Sequence, residues 1–140
     1  SQAMVKSRYA KEMVVCGFVN ISAIETFVGE PQRDITILCS GHGGNFSMED
    51  AVCAGMLIQK LNENKRNGVE FGDAGAASLA LYEIHSKALY KMLKSSEHGR
   101  YLEEIGFAED LRACAEVDNV PVVPQLLGNV VKLKKDSVPS

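Results

Sequence analysis

Ile35-Thr36-Ile37-Leu38-Cys39-Ser40-Gly41-His42-Gly43-Gly44-Asn45-Phe46-Ser47-Met48-Glu49-Asp50 is the stretch on which the fold assignment turns. An apolar, β-type run breaks into a glycine-rich turn, and acidic residues then open a helical pattern. That order brings free backbone N–H groups and the positive end of a helix dipole to one place, which is how proteins hold anions such as phosphate. The glycines equally suit a tight strand-to-helix turn that needs positive φ and no ligand. Taken alone, the pattern leaves both readings open.

Upstream, Met13-Val14-Val15-Cys16-Gly17-Phe18 is a continuous apolar run of the kind a strand buried on both faces shows. Asn20 or Ser22 is placed to cap a short helix through Phe27 that ends near Gly29 and Pro31. Ile35 to Cys39 reads as the second buried strand. Downstream, Ser47 and Asp50 approximate a capping box, and Met48, Ala51, Val52, Gly55, Ile58 and Leu61 recur on one helical face. This helix is expected to fray within Asn62-Glu63-Asn64-Lys65-Arg66 and to stop by Gly68.

Asp73 is expected to cap a second long helix reaching about Lys94, with Ala77, Leu81, Ile84, Ala88 and Met92 as its apolar stripe. Shorter helices follow over Gly99 to Ile105, ended by Gly106, and over Glu109 to Ala115. Val120-Pro121-Val122-Val123-Pro124 and Val130-Val131-Lys132-Leu133 are late extended segments, the prolines making the first an edge strand or no strand at all. Alternating strands and helices predict an α/β fold, a layered α/β/α arrangement with a mostly parallel or mixed sheet. Ligands of such folds gather at the C-terminal ends of strands, where the glycine loop lies, with Asn20 and Ser22 on a neighbouring turn.

The bulk numbers narrow the function. A chain of 140 residues with 46% hydrophobic and 24% charged residues suits one soluble globular domain. A net charge of −3 offers no basic footprint, so neither nucleic acid nor an acidic membrane is an expected partner. No run approaches the roughly 18 apolar residues that would cross a bilayer, and no signal-peptide pattern opens the chain. The four cysteines, Cys16, Cys39, Cys53 and Cys114, form no C-x-x-C and read as buried reduced thiols of a cytoplasmic protein.

Cys39 to Asn45 invites comparison with the loop of cysteine-dependent phosphatases, but Asn45 stands where their arginine would clamp phosphate, so Cys39 reads as a packed strand residue. The loop also lacks the Gly-Lys-Ser/Thr ending of a P-loop and the G-x-S-x-G elbow. Glu49 and Asp50, adjacent on a helix, point about 100° apart. They either stabilise the helix start, or one of them serves as a Mg²⁺ ligand or an acid/base group. His42 reads as a solvated loop histidine and His85 as an exposed one. His98-Gly99-Arg100 opens a helix, with Arg100 either facing solvent or binding an anionic group of a substrate.

Three segments together resemble the 2-phosphosulfolactate phosphatase (ComB) family. They are Ile37-Leu38-Cys39-Ser40-Gly41 through Phe46-Ser47-Met48-Glu49-Asp50-Ala51-Val52-Cys53-Ala54-Gly55, Val14 to Ala23, and Ser96-Glu97-His98-Gly99-Arg100-Tyr101-Leu102 followed by Gly106, Asp110, Cys114, Asp118 and Val122-Val123-Pro124. The resemblance implies a Mg²⁺-dependent acid phosphatase that hydrolyses 2-phospho-3-sulfolactate, or a similar small phosphomonoester, a step of coenzyme M biosynthesis in methanogens. It also implies that the chain corresponds to the C-terminal portion of a longer protein, inactive alone, pairing with an N-terminal half or with a second copy. Catalytic and metal roles carry over to Glu49 and Asp50, and substrate binding to Ser40, Gly41, Gly43, Gly44, Ser47, Asn20 and Arg100. A noncatalytic anion-binding or interaction domain is the alternative.

Overall fold

A computed structural model describes residues 2–6, 9–29, 34–65 and 68–134. Pro31 and Arg66, expected at two helix ends, lie outside the described residues. The structure is a mixture of helices with one small antiparallel sheet: α1 (Gln2–Lys6), a 3₁₀ turn (Phe18–Asn20), α2 (Ile21–Gly29), α3 (Met48–Asn64), α4 (Asp73–His85), α5 (Leu89–Ser95), α6 (Glu97–Glu104), α7 (Ala108–Cys114), β1 (Pro124–Leu127) and β2 (Val130–Leu133).

Helix α3 is the axis of the molecule. Ser47 caps it as the sequence implies, its Oγ accepting from the Asp50 N–H at 3.3 Å. Its buried face is broader than the expected stripe, because Ala54, Met56 and Leu57 join Ala51, Val52, Gly55, Ile58 and Leu61. It shares one core with Phe18, Ile21 and Ile24 and with Leu89, Met92, Leu93 and Leu111. Fully burying a side chain such as Ile21 or Val52 contributes about 1.5–3 kcal/mol, and α3 supplies seven of the fourteen buried hydrophobic residues described.

The helix expected from Asp73 to Lys94 is two helices. Ser86 and Lys87 turn the chain, and Ala88 leaves helical geometry at φ −146° and ψ 48°. The turn lets Leu89, Met92 and Leu93 face the core. The expected stripe is correspondingly displaced: Ala77, Ile84 and Ala88 are exposed, Ile84 at 73%. Helix α4 instead meets α3 through small groups. A Cβ on Gly55 would collide with the Ser78 carbonyl oxygen and come within 2.8 Å of Tyr82 Cβ, so the two backbones approach at a distance only glycine permits.

The layered sheet is not seen among the described residues. β1 and β2 form a hairpin in the register Pro124↔Leu133 to Leu127↔Val130. Met13 to Val15 touches it through Val15 N–H to Pro124 O (2.9 Å) and Leu126 N–H to Met13 O (3.0 Å). Ile35 to Cys39, expected as a buried strand, makes no ladder with any described residue. Leu38 is 52% exposed and Cys39 is exposed too. Strand-type composition supplies apolar faces, but a strand exists only where a neighbour completes its hydrogen bonds.

The start of α2 is built from afar. The Asp118 carboxylate accepts from the Ser22 N–H at 2.8 Å and from Ser22 Oγ, so Asp118 rather than Asn20 or Ser22 supplies the acceptor there. Asp118 holds φ 61°, a left-handed conformation that aspartate tolerates better than most residues. Asn20 is 4% exposed and braces the turn: its Oδ1 accepts from Gly17 N–H, and its Nδ2 donates to Val15 O and Val122 O.

Gly55→Ala should therefore lower the unfolding free energy by about 2 kcal/mol or more through forced separation of α3 and α4. Met92→Ala should cost about 2–5 kcal/mol, whereas Ile84→Ala should change stability by no more than about 0.5 kcal/mol. Urea unfolding of the three variants checks this, and a large loss for Ile84→Ala would contradict the observed rotation of α4.

Candidate functional site

The glycine loop folds back on itself before α3 begins. His42 and Asn45 exchange backbone hydrogen bonds, His42 N–H to Asn45 O at 3.0 Å and Asn45 N–H to His42 O at 2.9 Å. Gly43 and Gly44 form the tip at φ 57° and 80°. Gly41 sits at φ 72°, where a Cβ would lie 2.6 Å from Asn45 O. A tight turn thus explains the glycines, and the same turn is tied to the helix by Asp50. Asp50 Oδ2 accepts from Gly41 N–H at 2.7 Å and from Ser40 Oγ at 3.3 Å. The capping box is one-sided: Ser47 receives the Asp50 amide, while the Asp50 carboxylate reaches the loop rather than back to Ser47.

Glu49 points elsewhere. It lies half-buried among His98, Asp50 and His42. Burial raises its carboxyl above the ordinary value; His98 offsets part of that, Asp50 adds to it, and His42 offsets it again. The His42 and His98 rings lie 4.6 Å apart at 47°. His98 stands at the second position of α6, whose N-cap Ser96 accepts from Gly99 N–H at 3.0 Å. The N-terminal ends of α3 and α6 thus meet around the histidines and Glu49, two positive helix ends with a carboxylate between them.

Thiols flank this centre. Cys16 and Cys53 share a hydrogen bond, and that bond, then burial and nearby negative charge including Asp50, pushes the Cys53 thiol well up. Cys39 is also raised, by partial burial and then by Asp50. A thiol held protonated beside a carboxylate is a poor nucleophile, in keeping with the sequence argument against Cys39. All four cysteines are free, but Cys39 and Cys114 are exposed rather than buried as expected.

Of the expected site residues, the structure brings together Ser40, Gly41, Ser47, Glu49 and Asp50, with Gly43 and Gly44 at the exposed tip. The Asn20 amide is engaged as a brace, and Arg100 Nη1 donates to Ser95 O at 2.8 Å. Among the described residues no group of three or more His, Cys, Asp or Glu side chains is placed to hold a metal ion.

A family model described as 2-phosphosulpholactate phosphatase matches residues 1–129. The chain belongs to the 2-phosphosulpholactate phosphatase family. Relatives named probable 2-phosphosulfolactate phosphatase include one from Caldanaerobacter subterraneus subsp. tengcongensis, 32% identical over 136 residues, which are 97% of this chain and 56% of that protein. The relative from Thermotoga maritima is 30% identical over 135 residues, 96% of this chain and 56% of that protein. The relative from Thermosynechococcus vestitus is 34% identical over 116 residues, 80% and 48% of the two chains. The chain spans about half the length of the curated relatives it matches. No helix among the described residues is long and apolar enough to cross a membrane.

The sequence placed His98 in the family pattern without a role, and His42 read as solvated. The overlooked signal was a parallel: Ser47-Met48-Glu49 and Ser96-Glu97-His98 each put a polar side chain at the second position of a serine-capped helix.

Two tests follow from the geometry. Asp50→Ala leaves the Gly41 N–H without its acceptor and should cost about 1–3 kcal/mol, with faster hydrogen exchange at Gly41 as the local signature; unchanged exchange would contradict the bond. Glu49 has the opposite sign. A carboxyl whose folded pKa is raised binds its proton more readily folded than unfolded, so stability is lost as pH climbs from the ordinary carboxylate value, about 4.3, through the raised one. Glu49→Gln should therefore be more stable than the parent chain near pH 7, with the gap closing near pH 4. Urea midpoints that differ equally at both pH values would rule this out.

Proposed function

We infer that the chain is the C-terminal portion of a Mg²⁺-dependent acid phosphatase acting on 2-phospho-3-sulfolactate or a similar small phosphomonoester, releasing the hydroxy acid and phosphate. The observation that carries the reading is the link of Asp50 to Gly41 N–H and Ser40 Oγ in a chain of this family. Phosphate would rest against the Ser40–Ser47 turn, with the amides of Gly43, Gly44 and the first turn of α3 as donors. Arg100 keeps guanidinium nitrogens beyond Nη1 for a further anionic group of the substrate.

The electrostatics support a cation in that reading. Glu49 and Asp50 would lie beside the phosphate in this reading, and anion beside anion is repulsive unless a positive charge intervenes. Asp50 uses only Oδ2 toward the loop, leaving Oδ1, and Glu49 is adjacent. Asp50 or Glu49 would hold Mg²⁺, directly or through water; the ion commonly takes one or two protein carboxylates and fills its remaining positions with water and phosphate oxygens. When bound, the ion supplies neutralisation of charge on the phosphoryl oxygens. That donor set suits a metal shared with substrate rather than an all-protein cage.

The half-length coverage and the exposed Ile37, Leu38 and Phe46 support pairing of this portion with the other half of the family protein, or with a second copy. In that assembly Met13–Phe18 and Ile35–Cys39 would be strands of a mostly parallel or mixed sheet inside a layered α/β/α domain. The four free thiols suit the cytoplasm. These residues alone should release little or no phosphate from a phosphomonoester, so robust Mg²⁺-dependent release by them would contradict the half-site reading. In a full-length family member, replacing the aspartate that matches Asp50 by asparagine should cut Mg²⁺-dependent release by about a hundredfold or more. Unchanged release would discard the metal role and favour a noncatalytic anion-binding domain.

A further inference from the structure

His98 carries a polar atom that the fold does not use. Its Nδ1 is buried and has no hydrogen-bond partner among the described residues. A buried polar nitrogen left unpaired costs about 1–3 kcal/mol, and such a group in a native structure calls for a reason, a bound ion being one. The position of His98 shows what that could be. Its ring packs at 4.6 Å against His42, which belongs to the same glycine turn as Gly41, Gly43 and Gly44. Glu49, on the first turn of α3, has His98 among its electrostatic neighbours. His98 comes from α6, so it approaches the turn from an element independent of α3.

We propose that His98 is a phosphate-binding residue, donating a hydrogen bond from Nδ1–H to a phosphoryl oxygen held at the Ser40–Ser47 turn. This rests on the reading of that turn as a phosphate cradle and extends it to a second wall, supplied by α6. The His42 side chain lies against His98 and is itself exposed, so the contact requires that ring to give way. The geometry also orders the chemistry of the site. Backbone amides of the turn hold the anion from one side, and an imidazole N–H holds it from the other.

The test compares two substitutions that keep different halves of the imidazole. An asparagine amide reaches about where Nδ1 lies, whereas a glutamine amide reaches about where Nε2 lies. Binding of inorganic phosphate to this chain, with Mg²⁺ held constant, is followed by amide and histidine NMR shifts. His98→Gln should weaken binding by about tenfold, the size expected for loss of one hydrogen bond to a charged group. His98→Asn should stay within about threefold of the parent. The Gly99 amide, bonded to Ser96, reports in each variant whether α6 has kept its start. Equal binding by His98→Gln and the parent, with Gly41→Ala still weakening it, would overturn the role of His98 and leave the cradle standing. Equal weakening by both His98 variants with α6 intact would likewise overturn the Nδ1 contact. No phosphate-dependent shift in the parent chain would overturn the cradle and this inference together.

Discussion

The Asp50 carboxylate sits at the junction of the turn and the helix, and much of the site's local geometry depends on that position. Its backbone N–H is the donor that Ser47 captures to start α3, and its Oδ2 captures the Gly41 N–H and the Ser40 hydroxyl. One residue thus fixes where the helix begins and where the preceding loop ends. A carboxylate is suited to this, because the helix end is positive and a charged acceptor makes hydrogen bonds stronger than neutral ones. With Gly41 held at φ 72° and no room for a Cβ against Asn45 O, the His42–Asn45 turn has one way to fold back toward the helix.

How much of this was legible in the sequence follows from the range of each interaction. Ser47, Asp50 and the glycines lie within a few positions of one another, so cap, turn and helix start could be read together. The break between α4 and α5 could not, because Ser86, Lys87 and Ala88 include no glycine or proline. The helix ends there so that Leu89, Met92 and Leu93 face the core, a demand set by packing rather than by propensity. The α3–α4 contact escaped for another reason. It runs through Gly55 and Ser78, and a search for an apolar stripe is blind to interfaces made of small residues.

Distance in sequence explains the remaining misses. Asp118 supplies the acceptor at the start of α2 from 96 positions away, and Asn20 reaches 102 positions to Val122. His98 reaches the glycine turn from α6 in the same manner. Each of these side chains looks ordinary in its own neighbourhood and acquires a partner only when the chain closes. The family resemblance had marked Asp118 and His98 as parts of a pattern without saying what they touch. The strands differ in the opposite direction: Ile35 to Cys39 has the composition of a buried strand, but no neighbour among the described residues pairs with it.

Glu49 and Asp50 show how one helix end can give adjacent carboxylates different chemistry. Their side chains diverge by about 100°, and the divergence sends Asp50 to hydrogen-bond donors and Glu49 to a half-buried niche beside two histidines. Donors satisfy a negative charge; burial penalises it. Asp50 is therefore a fixed acceptor that shapes the loop, while Glu49 retains a carboxylate whose ionisation is opposed by its surroundings. A positive charge brought between them would relieve Glu49 more than Asp50, because among the described residues only Asp50 has donors of its own. The more responsive half of the pair is then the one beside His98, while the Asp50 carboxylate ties the turn to the helix through Gly41.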